Sequence, residues 1–92
     1  MTSNALALAL GHVRNAVWQL MGNDDPSGLT LGLECLDLEA LLNPDDIAPA
    51  VVALEPNPAA SLGAARQLLG PVADQVAPAA WATLQSLRSK LG

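Results

Sequence analysis

The chain has 92 residues, 51% of them apolar, and sets four Lys and Arg against nine Asp and Glu for a net charge of -5. That length suits one domain with a small, simple core, and so few cations exclude the clustered basic surface that nucleic acid or anionic lipid requires. Leu, Ala and Val supply nearly all the apolar residues, Phe and Tyr are absent, and Trp18 and Trp81 are the only aromatics. This is a helix former's composition, poor in the β-branched and aromatic residues that strands favour.

The first helix is marked by Leu6, Leu10, Val13, Val17 and Leu20 at alternating spacings of four and three, with Ser3 or Asn4 as cap and Gly22 as stop. Its opposite face carries Leu8, His12, Asn15 and Gln19, a mixed surface and the candidate for contact with a partner. The run 5–10 is apolar but follows no basic residue and is too short to span a bilayer. A soluble, cytoplasmic chain without membrane association is therefore expected.

Residues 23–28, reading NDDPSG, have turn chemistry. The segment 29–42 is ambiguous. Leu29, Leu31, Leu33 and Cys35 alternate as in a strand, whereas Leu29, Leu33, Leu36 and Ala40 line one helical face. The Leu-rich composition favours a helix, and with Leu31, Leu38 and Leu42 on its other side that helix would be the central member of a bundle, buried on two faces.

Asn43-Pro44-Asp45-Asp46 reads as a helix start, with Pro49 in the first turn of a short helix reaching Leu54. Glu55-Pro56-Asn57-Pro58 breaks it, and Asn57 caps a helix over 58–69 that Gly70-Pro71 ends. The last segment, 71–91, places Ala77, Ala80, Trp81, Leu84, Leu87 and Leu91 on one side and should restart near Pro78, with Arg88 and Lys90 complementing the dipole at its end. Trp18 and Trp81 are the largest candidates for the core.

An approximate internal repeat runs through these elements. Thr30-Leu31-Gly32, Leu41-Leu42-Asn43-Pro44 and the run 45–50 (DDIAPA) recur as Ser61-Leu62-Gly63, Leu68-Leu69-Gly70-Pro71 and the run 74–79 (DQVAPA). Copies at 30–54 and 61–84 would each be a helix, a Pro-marked corner and a second helix. An Ala-, Leu- and Pro-rich composition alone can also generate such matches.

Chemistry-bearing side chains are sparse. Cys35 is the only thiol, so no internal disulfide forms and a reducing compartment is the simpler reading. Glu34, Asp37 and Glu39 surround it, which raises a thiol's pKa, so buried inert packing is expected rather than nucleophilic work. One Cys and one His cannot fill a structural zinc site. Asp24-Asp25 and Asp45-Asp46 fall in turns and caps, where Asp is favoured for backbone reasons.

Two short segments resemble known families. Asn23, Asp25, Ser27, Gly28 and Glu34 are spaced like the first, third, fifth, sixth and twelfth positions of the calcium loop of EF-hand proteins, with Thr30 and Pro26 departing from that pattern. The resemblance implies a calcium site at Asn23, Asp25, Ser27 and Glu34; the alternative is an ordinary helix-to-helix turn. The run 31–41, LGLECLDLEAL, resembles the segment of acyl and peptidyl carrier proteins that reads Leu-Gly-x-Asp-Ser-Leu-Asp. Cys35 stands where that family esterifies phosphopantetheine to Ser, so the resemblance implies at most an inactive carrier-like domain.

The expected fold is all-α, a small bundle of four to five short helices built as two pseudo-repeated helical corners plus an N-terminal helix. The expected function is that of an acidic, non-enzymatic adaptor or assembly subunit, with no catalytic residues and no cofactor. Its expected partner is another protein or a second copy of itself, met through exposed Leu and Ala surface.

Overall fold

Leu6, Leu10, Val13, Val17 and Leu20 give α1 (Asn4–Met21) its apolar stripe, and Gly22 ends the helix with its N–H on the Trp18 carbonyl (2.9 Å). In the computed structural model, which describes residues 4–22 and 26–91, α1 is followed by α2 (Pro26–Leu42), α3 (Pro58–Leu69), a 3-10 helix (Gly70–Gln75) and α4 (Pro78–Leu91). There is no strand among the described residues. The chain is thus an all-α bundle, and the ambiguous segment 29–36 is helical. Ser3 lies outside the described residues.

The helices form a ring in the order α1, α2, α4, α3, each packed against the next. Leu10 and Val13 of α1, Leu38 of α2, Leu62 and Leu69 of α3, and Leu84 and Leu87 of α4 fill the middle, each fully buried or nearly so. Val17, Leu20, Cys35 and Leu42, with the small residues Ala9, Ala16, Ala65 and Ala80, complete the core.

α1, not α2, is the central element. Ala7, Gly11, Asn15 and Gln19 recur every four residues, forming a second ridge away from the core stripe. Across that ridge runs an extended strap, residues 47–55, parallel to the helix. The Ala50 N–H donates to the Ala7 carbonyl (3.0 Å), Asn15 Nδ2 to the Val52 carbonyl (3.5 Å) and Gln19 Nε2 to the Glu55 carbonyl (2.7 Å). Gly11 is the point of closest approach: a Cβ there would overlap the Ala50 carbonyl oxygen and stand 3.2 Å from Val52 Cγ2.

The strap corrects the expected helix over 43–54. Asn43 closes the corner after α2 with both ends of its amide on Ile47: the Ile47 N–H donates to Oδ1 (2.6 Å) and Nδ2 donates to the Ile47 carbonyl (2.8 Å). Asp46 takes the left-handed conformation, with φ of 55°, which Asp tolerates better than most residues. With Ile47 so engaged, Pro49 lacking an N–H, and Val51 and Val52 β-branched, a helix this short has little to stabilise it. The extended chain instead gains α1's side-chain amides as partners.

The two copies of the sequence repeat each begin in a helix, α2 and α3, and differ from the corner onward, a turn at 43–46 in the first and the 3-10 helix in the second. After α2 comes the strap; after α3 come the 3-10 helix and α4. Asn57 does cap α3, its Oδ1 accepting from the Ala60 N–H (2.8 Å), and Pro78 opens α4.

Two further expectations are corrected. Trp18 is 69% exposed, because it continues the exposed ridge of Arg14 one turn on rather than the stripe of Val13, Val17 and Leu20. Trp81 is only partly buried against the core, with Nε1 donating to the Ala73 carbonyl (3.4 Å). The outer face of α2 is also open, since α1 and α4 cover only its side of Gly28, Gly32, Cys35, Leu38 and Leu42.

Candidate functional site

α2 carries more leucine than its one buried side, at Gly28, Gly32, Cys35, Leu38 and Leu42, takes up. Leu29, Leu33 and Leu36 are 53%, 54% and 41% exposed, and Ala40 is exposed beyond them. Their spacing of four, three and four residues puts them in one line along the helix. The line is uncharged, and it is long enough to offer a partner about three turns of helix.

Beside it, α2 and α4 form a groove of about 650 Å³ lined by Glu34, Asp37, Ala40 and Leu41 on one wall and Ala82, Thr83 and Ser86 on the other. Ala40 belongs to both features, so the leucine line leads into the groove. Lys90 Nζ donates to both oxygens of Glu34 (2.8 and 3.1 Å), tying α4 to α2. Asp37 has no ion-pair partner among the described residues. On the other flank Arg14 Nη2 meets Glu39 at 2.7 Å and ties α1 to α2.

The α1 surface selected from sequence is divided by the strap. Asn15 and Gln19 spend their amides on strap carbonyls, and Gln19 Oε1 also accepts from the fully buried Ser61 hydroxyl (2.7 Å). His12 is half-buried, with Nδ1 enclosed and unbonded. Leu8 faces solvent. The structure thus brings Asn15 and Gln19 together as a clamp for the chain's own backbone and leaves Leu8 outside it.

The sequence marked Leu29, Leu33 and Leu36 as one face of a helix and assigned that face to the interior. The available signal was α2's excess of leucine over what one buried stripe needs. Which of its sides lay open depended on α1 being the central helix, a tertiary outcome.

Cys35 is fully buried in the middle of α2, and burial, with the nearby Glu34 carboxylate second, pushes its thiol up to about 11. A carrier-type attachment point must be reachable by a modifying enzyme, and Cys35 is not. Ser27, Gly28 and Glu34 all lie within α2, where a helix keeps their side chains from wrapping one ion, and Glu34 is engaged by Lys90. Asn23, Asp24 and Asp25 lie outside the described residues. Asp45 and Asp46 sit in the exposed corner after α2. Among the described residues no three His, Cys, Asp or Glu side chains gather as metal ligands, and no helix is long and apolar enough to cross a membrane.

No family model, curated protein or solved structure matches the chain.

Proposed function

We propose that this protein is a non-enzymatic protein–protein interaction module, an adaptor or a subunit of a larger assembly, and that it binds through the outer face of α2. The observation that carries this reading is the line Leu29, Leu33, Leu36 and Ala40, open to solvent in a domain that has buried its other leucine-rich faces. Burying a leucine releases about 1.5–3 kcal/mol relative to leaving it exposed, so three on one line make association favourable where a matching surface exists. The partner surface is a helix with its own apolar stripe, laid along α2 in the manner of helix-in-groove recognition. A Lys or Arg at the edge of that stripe would meet the unpaired Asp37. A second copy of this chain could supply the stripe but, being acidic, brings fewer such cations.

The test replaces Leu29, Leu33 and Leu36 together by Gln. Because all three are exposed, the variant should keep its helical circular dichroism and melting temperature while losing self-association in light scattering, or losing a partner captured by the unaltered protein. Cross-linking, light scattering and pulldown that all leave the unaltered protein a lone monomer would overturn the proposal.

A further inference from the structure

The four cations of the chain divide into two pairs with different fates. Arg14 and Lys90 are engaged by Glu39 and Glu34. Arg66 on α3 and Arg88 on α4 have no carboxylate partner among the described residues, although the chain has nine acids to offer. Both instead line one cavity of about 380 Å³, whose other lining residues are Trp81, Leu84 and Gln85. None of those is acidic.

The cavity is a product of helix geometry. Trp81, Leu84, Gln85 and Arg88 follow one another on α4 at spacings i, i+3, i+4 and i+7, so they form a single face, and Arg66 projects to it from α3. Leu84 is buried and closes the inner side. Trp81 Nε1 donates a long hydrogen bond to the Ala73 carbonyl (3.4 Å), which turns that edge of the ring toward the 3-10 helix. The volume falls in the range of about 300–1,000 Å³ usual for small-ligand sites.

Two guanidinium groups brought to one cavity repel each other, and an anion between them turns that repulsion into attraction. Each guanidinium presents a planar fork of donors suited to two oxygens of a phosphate or carboxylate. The pair's charge matches a phosphate monoester, a dianion above its second pKa of about 6. Gln85 adds an amide donor, and the indole of Trp81 adds a flat apolar wall on which an unsaturated ring can stack.

We propose that this cavity between α3 and α4 binds a small aryl phosphate, with Arg66 and Arg88 gripping the phosphate and Trp81 stacking on the ring. The site lies on a different pair of helices from the proposed α2 docking line and stands or falls independently of it.

Trp81 is its own reporter once Trp18, which is not among this cavity's lining residues and is largely exposed, is changed to Phe. Titration of Trp18→Phe protein with phenyl phosphate at constant ionic strength, excited at the red edge of indole absorption, should give a saturable change in emission. Arg66→Gln and Arg88→Gln, both at exposed positions that leave the fold intact, should each weaken binding about tenfold, which is about 1.4 kcal/mol. Inorganic phosphate should bind more weakly than phenyl phosphate, because it forgoes the ring. The absence of a saturable response, an unchanged response in the double variant, or equal binding of the two phosphates would each overturn the proposal.

Discussion

At the scale of single residues, two glycines inside helices have opposite meanings. Glycine in a helix interior costs about 1 kcal/mol relative to alanine, so it persists where a side chain cannot be housed or where nothing selects against it. Gly63, in α3, has nothing within 4 Å of where a Cβ would stand, whereas a Cβ at Gly11 would run into the backbone of the strap at Ala50. Gly63→Ala should therefore stabilise the protein by about 0.5–1 kcal/mol. Gly11→Ala should destabilise it by about 1–3 kcal/mol despite the same gain in propensity, because the obstacle is a carbonyl tied into a hydrogen-bonded strap rather than a flexible side-chain end. Chemical denaturation of the two variants beside the parent checks the contrast in sign. Gly11 is also where sequence reading had least to work with, since nothing local distinguishes a glycine under a crossing backbone from one facing water.

At the scale of elements, legibility follows how locally each one is determined. The limits of α3 and the start of α4 are written in adjacent residues: Asn57 caps, Pro58 takes the first turn, Gly70-Pro71 interrupts, and Pro78 restarts. The strap is decided elsewhere, by the ridge Ala7, Gly11, Asn15 and Gln19 and by the hold of Asn43 on Ile47, so a reading confined to 43–54 finds corner residues and predicts a helix. The open face of α2 was legible as a leucine pattern but not as a surface, and the α3–α4 cavity was not legible, because Arg66 and Trp81 meet only after folding. Within the strap, Gln19 joins three parts of the molecule: its Nε2 bonds the Glu55 carbonyl, and its Oε1 receives the hydroxyl of Ser61, which is fully buried. Gln19→Ala leaves both groups without that partner and should cost about 1–3 kcal/mol. Asn15→Ala removes a single, longer bond of 3.5 Å and should cost less. Hydrogen exchange should show the strap amides, Ala50 foremost, losing more protection in the Gln19 variant than in the Asn15 variant.

At the scale of the whole molecule, the charges sort its surface into regions that answer differently to salt. The Debye length falls from about 10 Å at 0.1 M to about 3 Å at 1 M. The pairs Arg14–Glu39 and Lys90–Glu34 are partly exposed and contribute at most about 1 kcal/mol each, so the fold should lose little as salt rises. The proposed docking line of α2 is uncharged along Leu29, Leu33, Leu36 and Ala40, and contacts made by burying leucine are not screened. Association through that face should therefore survive molar sodium chloride, and between two acidic copies it should tighten as their mutual repulsion fades. The cavity held by Arg66 and Arg88 works by charge, and its affinity for phenyl phosphate should fall over the same range. Light scattering and Trp81 emission, followed on one preparation across the salt series, should move in opposite directions. Association that dissolves with salt would place the binding energy in the Asp37 flank rather than in the leucines, and phosphate binding indifferent to salt would remove the arginines from the site.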